Sequence, residues 1–284
     1  MLQRRTMQTL ISGAFCVATS LAPAVAADVL VTRPSLDQGF HLLYNLDFDQ
    51  ARQVFLSWQH EHPQDPVGPT AEAAGLLFSE FHRLGVLEAQ FYENDETFLS
   101  RNKLDPDPGV RDRFHAALTR AQTSAKIRLA ASPQDRDALF AMTLSSGLQA
   151  DYAALIERRN LPSLHYTRDA SDWAAKLLAV DPDCYDAHVA TGFSKYIIGS
   201  MAAPLRWFLR LGGIAGDKKQ GVAELQITAQ HGRYLGPFAR ILLAIAYVRD
   251  KDNVRARETL AALRDDFPRN PLFAHEIARL DSRH

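Results

Sequence analysis

A cluster of residue types that bind metal ions lies at His60-Glu61-His62. The histidines are two residues apart, so a helix would point them in different directions. A metalloprotease-type site needs histidines four residues apart on one helical face. Pro63 follows at once and is expected to end the helix. The sequence therefore predicts a solvated helix end here and no metal site.

A phosphate-binding loop is suggested by Gly212, Gly213 and Gly216, which precede Lys218. Such a loop needs a lysine directly after a glycine, a serine or threonine after the lysine, and a strand leading into the glycines. This sequence meets none of these conditions. It therefore predicts no nucleotide site.

Three side chains have the chemistry of nucleophiles. Ser194 lies inside a predicted helix, and its surroundings lack the second glycine of a nucleophile elbow. Ser100 and Lys103 have the spacing of a serine–lysine pair, which is also common at helix ends. Cys184 lies near a predicted helix start, where the dipole lowers a thiol pKa, but a small buried apolar residue is the simpler interpretation. We predict no catalytic residue, no metal and no cofactor, and therefore no enzyme.

The segment around Trp207 combines aromatic and cationic side chains. Trp207 and Phe208 are flanked by Arg206 and Arg210 within an otherwise apolar run. One interpretation is a short helix that plugs the core while its arginines reach water along their aliphatic stems. The other is a groove wall that binds an apolar or anionic ligand, or a partner helix. A membrane-surface helix is disfavoured because the segment is short and its positive charge is modest.

From Ser35 onward the sequence predicts an almost continuous series of helices, with no alternating strand and hairpin turn. Two helix starts are well marked, because Ser35 and Gln38 have the spacing of a capping box and Asn270 precedes Pro271. Weak breaks at 105–109 and 160–163 are too short to separate domains. The predicted helices span about 35–44, 48–62, 67–84, 86–101, 109–131, 135–157, 166–179, 184–199, 204–211, 218–231, 236–249, 252–265 and 271–281.

Landmark residues in the first two helices resemble those of the tetratricopeptide repeat (TPR). Gly39, Ala51, Phe55, Trp58 and Pro63 have the TPR spacing, in which a small residue on the first helix lets the second pack closely. The pattern returns in two later sets, which are Ala170, Ala174, Leu177, Pro182 and Gly192, and then Ala244, Tyr247, Ala256, Leu260, Leu263 and Pro268. The resemblance implies an all-α fold, a TPR-like α-solenoid of about twelve helices in antiparallel hairpins.

The prolines that end these units are unevenly spaced. Pro63 and Pro133 are 70 residues apart, close to two repeats of about 34 residues. Pro133 to Pro182 is 49 residues, and Pro182 to Pro268 is 86. We therefore expect one helical repeat domain over 35–284, with an irregular insertion near 196–217.

In TPR proteins the concave face is lined mainly by the first helix of each hairpin. With that register, the resemblance implies groove positions at Phe140, Leu144, Asp186, Val189, Phe193 and Tyr196. Their mainly apolar character argues against a groove for acidic or phosphorylated peptides. It suits an extended apolar ligand, or closure of the superhelix on itself.

The first 26 residues have the features of a cleaved export signal. Arg4 and Arg5 precede an apolar stretch at 9–21 that is too short to span a bilayer, and small residues at 24–26 suit signal peptidase. We expect cleavage after Ala26, an N-terminal extension over 27–34, and a periplasmic or secreted protein. The paired arginines leave the twin-arginine route open, although the general route fits the following residues better.

Charge and cysteine content exclude some function classes. Removing Arg4 and Arg5 from the 32 basic residues leaves 30, against 33 acidic ones. Nucleic acid is an unfavourable partner because binding phosphates needs a surplus of positive charge. Cleavage would leave Cys184 as the one cysteine, so no internal disulfide is predicted, and we expect no transmembrane span in the mature chain.

Our leading hypothesis from the sequence is a non-catalytic protein–protein interaction scaffold of the cell envelope, whose partner is another protein or a peptide. The alternative is an exported solute-binding component that holds a small apolar or anionic ligand, for example on behalf of a transporter. Either function would use the same candidate residues: Phe193, Tyr196, Arg206, Trp207, Phe208 and Arg210.

Overall fold

A computed structural model of the chain describes residues 35–89, 104–200 and 216–282. These residues form helices and short connections, and they include no β-strand. The helices are α1 (Leu36–Tyr44), α2 (Phe48–Glu61), α3 (Val67–Arg83), α4 (Val86–Ala89), α5 (Pro108–Ala131), α6 (Arg136–Asp151), α7 (Asn160–Val180), α8 (His188–Ser200), α9 (Lys218–His231), α10 (Gly236–Arg249), α11 (Asn253–Asp266) and α12 (Pro271–Asp281). A π-helical turn, Tyr152–Ile156, extends α6, and a 3-10 turn, Tyr185–Ala187, leads into α8. The all-α prediction is thus confirmed for the described residues.

Several predicted elements lie outside the described residues. They are the export signal and extension at 1–34, most of the predicted helix at 86–101, and the predicted helix at 204–211. Of the irregular insertion predicted near 196–217, the structure describes 196–200 at the end of α8 and the two residues that precede α9.

One predicted break is wrong. The sequence predicts an interruption at 160–163 and a helix from 166, but α7 begins at Asn160. Pro162 is tolerated there because the first helical turn does not use its backbone N–H groups in hydrogen bonds within the helix. The chain turns earlier, after Ile156, where Arg158 has a positive φ of 58°.

The two helix starts predicted from caps have hydrogen bonds of the expected kind. The Ser35 hydroxyl accepts the N–H of Gln38 at 3.2 Å. The Asn270 side chain accepts the N–H of Leu272 at 3.0 Å, directly before Pro271 begins α12. Each cap satisfies a backbone donor that the helix itself leaves free, which fixes where the helix begins.

Helices that follow one another along the chain pack against each other from α1 to α12, with the short α4 set aside. Two glycines allow especially close packing. A methyl group added to Gly39 in α1 would overlap the ring of Phe55 in α2, which is fully buried. A Cβ on Gly192 in α8 would lie 3.0 Å from the Gly221 carbonyl oxygen in α9. Both positions therefore require a residue without a side chain.

Helix α1 also contacts residues about 190 or more positions further along the chain. The Tyr44 hydroxyl donates to the Tyr234 carbonyl oxygen at 2.8 Å, and the Asn270 amide donates to the Tyr44 carbonyl oxygen at 2.9 Å. Arg233 and Asp37 form an ion pair at 2.7 Å. Helix α1 thus packs against the segments that begin α10 and α12, and the core runs continuously between them.

Candidate functional site

A cavity of about 360 Å³ lies inside the helical array. This volume is within the range of small-molecule sites, roughly 300–1,000 Å³. The residues that form its walls are mostly apolar. The large apolar residues on the described walls are Phe40, Leu43, Leu46, Phe48, Phe78, Phe81, Leu87, Phe140, Leu144, Leu148, Leu155, Leu164, Phe193, Ile197, Ile198, Leu235, Phe238, Ile241, Leu242, Ile245, Leu272 and Phe273.

The described walls come mainly from every second long helix. Helices α1, α3, α6, α8, α10 and α12 face the cavity, and the N-terminal half of α7 closes one side. Helices α5, α9 and α11 contribute no lining residue in the described part of the chain. Alternate helices therefore form an inner layer around the cavity.

Several large apolar side chains on this inner layer are only partly buried. They include Phe78, Leu144, Phe193, Phe238 and Ile241, all of which pack on the core with one side and face the cavity with the other. The rings of Phe78 and Phe238 meet edge to face at 5.5 Å and so connect α3 with α10. Apolar surface that remains accessible in a cavity gains about 25 cal/mol per Å² when another apolar group covers it.

One face of α6 forms a stripe along the cavity. Phe140, Leu144, Gly147 and Asp151 follow one another at three- or four-residue spacing, and Leu155 continues the stripe in the π-helical turn. At Gly147 an added Cβ would have no atom of the described residues within 4 Å, apart from its own helix backbone and chain neighbours. The missing side chain therefore leaves room in the cavity one turn before Asp151.

The carboxyl group of Asp151 lies in this apolar surrounding. The residue lines the cavity and is half-buried, and no described residue forms a hydrogen bond or an ion pair with its side chain. Burial raises the pKa of Asp151 from 3.8 to about 7, because the charged form is poorly solvated there. Near neutral pH this side chain is thus divided between its acid and its carboxylate.

Asp186 also lines the cavity, but its carboxylate is hydrogen-bonded to the backbone of the fold. Its carboxylate accepts the backbone N–H groups of Tyr234 at 3.1 Å and Leu235 at 2.9 Å, just before α10 begins. Burial raises the pKa of Asp186, and these N–H donors counteract that rise. We interpret Asp186 as a helix cap supplied from a distant segment.

The edge of the cavity near the end of α10 is basic. Arg249 lines it and is exposed, and the Lys218 ammonium lies 5.9 Å from the centre of the Tyr196 ring. Burial raises the pKa of Tyr196, and the nearby Arg249 lowers it. Lys218 forms an ion pair with Asp250, so part of this positive charge is neutralised.

The structure brings the groove positions implied by the TPR register together. Phe140, Leu144, Asp186, Val189, Phe193 and Tyr196 all line the cavity. Of the six candidate binding residues, it therefore places Phe193 and Tyr196 on the wall. The other four, Arg206, Trp207, Phe208 and Arg210, lie outside the described residues.

Among the residues considered for chemistry in the sequence, Ser194 of α8 lines the cavity, whereas Ser100 and Lys103 lie outside the described residues. His60, Glu61 and His62 are exposed where α2 ends. Cys184 is buried, and burial raises its thiol pKa to about 11, so the reactive thiolate is disfavoured. The residues that the structure describes contain no group of three His, Cys, Asp or Glu arranged to hold a metal ion.

Two residues of the site were missed in the sequence, Gly147 and Asp151. Both interrupt an apolar helical stripe that begins at Phe140 and ends at Leu155. A glycine inside a helix lowers helix stability by about 1 kcal/mol relative to alanine. Gly147 in the middle of a predicted helix is therefore a sequence signal for a packing or functional role at that position.

The chain matches no protein-family model and has no significant similarity to a curated protein. In the described ranges, no helix has the length and apolar character needed to cross a bilayer.

Proposed function

We propose that this protein is a non-catalytic binding protein that holds an apolar small molecule in the cavity of its inner helical layer. The observation that carries the proposal is the apolar cavity of about 360 Å³, with Phe78, Phe193 and Phe238 partly exposed on its wall. Binding sites of this size are typically apolar with few polar groups. The proposal corresponds to the solute-binding alternative derived from the sequence.

We further propose that the helices form TPR-like antiparallel hairpins in a solenoid. The alternation of cavity-lining and outer helices supports this arrangement, as does the close packing of Gly39 on Phe55. In such an array the inner helices present one continuous wall, and contacts of α1 with the C-terminal segments would bring the two ends of the wall together.

A ligand would be held mainly by burial of apolar surface. Each buried methylene contributes about 0.8 kcal/mol, and a preformed pocket reduces the ordering that binding must impose. The wall around Leu144 and Phe193 belongs to helices that also bury their opposite sides in the core. The pocket therefore needs little rearrangement of the inner layer to accept an elongated apolar group.

Export and a role beside a transporter belong to the same proposal. Support for export comes from the basic, apolar and small-residue regions of residues 1–26. The scaffold hypothesis remains a prediction. The described surface exposes one large apolar side chain on each of α2, α5 and α11 and one at each end of α7, whereas protein-binding sites present contiguous apolar patches.

The proposal can be tested by titrating the purified protein with the apolar fluorescent probe N-phenyl-1-naphthylamine. We expect saturable binding at one site per chain. In Gly147→Leu the new side chain would occupy the free space beside Asp151, so affinity should fall at least about tenfold. Gly147→Ala is the matched control and should keep most of the affinity. Absence of saturable binding, or equal binding by Gly147→Leu and the wild type, would contradict the proposal.

A further inference from the structure

Asp151 places an ionisable carboxyl group on the wall of an apolar cavity, an environment in which charged side chains are rare. Its carboxyl lies on an apolar wall, and no described side chain or backbone group pairs with it. Buried charges in proteins are normally paired or hydrogen-bonded, because an unpaired carboxylate loses its hydration without compensation. The fold tolerates this arrangement although an apolar residue at the same position would pack without that penalty.

Asp186, the other carboxylate on the described wall, shows what a purely structural carboxylate looks like. Asp186 is buried and accepts two successive backbone N–H groups at the start of α10. Asp151 has no such task, because α6 continues directly into the π-helical turn and the Asp151 side chain caps no backbone N–H group there. Its role is therefore not explained by the folding of its own helix.

Two threonine hydroxyl groups on the described wall already donate hydrogen bonds within their own helices. On α7, the hydroxyl of Thr167 lines the same cavity but donates to the Ser163 carbonyl oxygen at 2.9 Å. The hydroxyl of Thr143, on α6 itself, donates to the Leu139 carbonyl oxygen at 2.9 Å. A ligand that carries its own donor would thus meet an acceptor without competition from these hydroxyls.

We propose that Asp151 binds a protonated amine at one end of an otherwise apolar ligand, so that the cavity selects alkylamine-like amphiphiles. The inference rests on the proposed function and specifies its ligand class. An ammonium group supplies both the opposite charge and N–H donors, and a charge-assisted hydrogen bond is stronger than a neutral one. The apolar remainder of the ligand would extend over Gly147 and Leu144 along the α6 stripe.

The charge distribution around the cavity supports a cation in preference to an anion beside Asp151. The other titratable side chains on the described wall are Tyr44 from α1, Asp186 from the turn before α8, Tyr196 from α8, and Arg249 from α10. Helices α3, α7 and α12 place no charged side chain on it in the described residues. A ligand carboxylate would meet Asp151 as a like charge, whereas an amine would offset it.

The test uses three probes of equal chain length, octylamine, 1-octanol and octanoate, each measured by displacement of N-phenyl-1-naphthylamine at pH 8. In the wild type we expect octylamine to bind at least about tenfold more tightly than 1-octanol, and octanoate to bind most weakly. In Asp151→Asn the advantage of octylamine over 1-octanol should disappear, while the affinity for 1-octanol is kept. Asp172→Asn removes an exposed carboxylate of α7 outside the cavity and should leave the wild-type order unchanged.

A second measurement uses the wild-type protein alone and does not depend on how a variant folds. Because Asp151 ionises near pH 7, the affinity for octylamine should rise between pH 6 and pH 8, while that for 1-octanol should stay nearly constant. Equal affinity for octylamine and 1-octanol at pH 8, or an amine preference that survives Asp151→Asn, would overturn the inference while leaving the apolar cavity site intact. Failure of all three probes to displace the dye would instead contradict the proposed function itself.

Discussion

The hydroxyl of Tyr44 donates a hydrogen bond to the backbone carbonyl of Tyr234, 190 residues further along the chain, at 2.8 Å. Burial raises the pKa of Tyr44 far above its ordinary value, so the phenol stays protonated and remains a donor. The contact joins the first helix to the turn that begins α10. Because both helices line the cavity, this hydrogen bond helps to fix the shape of its wall.

Replacing Tyr44 with phenylalanine tests that connection. The change removes the hydroxyl and leaves the Tyr234 carbonyl without this donor, so we expect the free energy of unfolding to fall by about 1–2 kcal/mol in chemical denaturation. Tyr185→Phe is a suitable control, because its hydroxyl contacts only the exposed Asp183 in the described part of the chain and should matter little. Equal effects of the two substitutions would show that the contact does not stabilise the fold.

The same substitution at two helical glycines should have opposite effects on stability. Gly39→Ala would place a methyl group against the buried ring of Phe55, and such overpacking lowers the free energy of unfolding by about 1–3 kcal/mol. Gly147→Ala would add a methyl group that faces open space, and the better helix propensity should raise stability by about 0.5–1 kcal/mol. Thermal and chemical denaturation would measure both. A destabilising Gly147→Ala would mean that the space beside it is filled.

The raised pKa of Asp151 predicts how stability depends on pH. In the unfolded chain the carboxyl loses its proton near pH 4, whereas in the folded protein it keeps the proton to about pH 7. The contribution of this group to stability should therefore fall between pH 4 and pH 7 and then level off. Relative to the wild type, Asp151→Asn should become more stable over that range, by about 1–2 kcal/mol at pH 8 after allowance for partial exposure.

That pH dependence is measured by chemical denaturation of both proteins from pH 4 to pH 8. Asp186 also has a raised pKa, but it is present in both proteins and cancels in the difference. A stability difference that is constant over this pH range would show that Asp151 titrates normally and is well solvated.

Burial of Cys184 predicts slow thiol chemistry. Its pKa of about 11 leaves very little thiolate at pH 8, so alkylation by iodoacetamide in a Cys16→Ser background should be about 100-fold slower, or more, in the folded than in the unfolded protein. Mass spectrometry of the labelled chain measures the rate. Rapid labelling of the folded protein would show that the helix start before α8 activates this thiol after all.

Local features of the fold were predictable from the sequence because they depend on neighbouring residues. The cap at Asn270 and the start of α12 depend on a few adjacent side chains, and α9 and α10 have the predicted limits. The predicted break at 160–163 is wrong because Pro162 lies in the first turn of α7, which accepts proline. Phe193 and Tyr196, which the TPR resemblance implies as groove positions, both line the described wall of the cavity.

The cavity and its acidic group were not predictable, since they depend on contacts between distant parts of the chain. The residues next to Tyr44 in the sequence do not indicate a special role for it. Its hydrogen bond to Tyr234 forms only when the fold brings the two residues together. Asp151 resembles an ordinary polar residue near a helix end in the sequence, and only the surrounding helices make it a carboxyl without a partner. Tertiary packing decides such environments, whereas helix propensity does not.

Native mass spectrometry of the protein purified from its own cells, alongside Gly147→Leu prepared in the same way, tests the central claim most directly. We predict that the wild type carries one small molecule per chain, released on activation in the gas phase, and that Gly147→Leu carries little or none. If the wild type has the mass of the bare chain, or is found bound to a stoichiometric protein partner with its cavity empty, the claim that the cavity is a small-molecule site is contradicted.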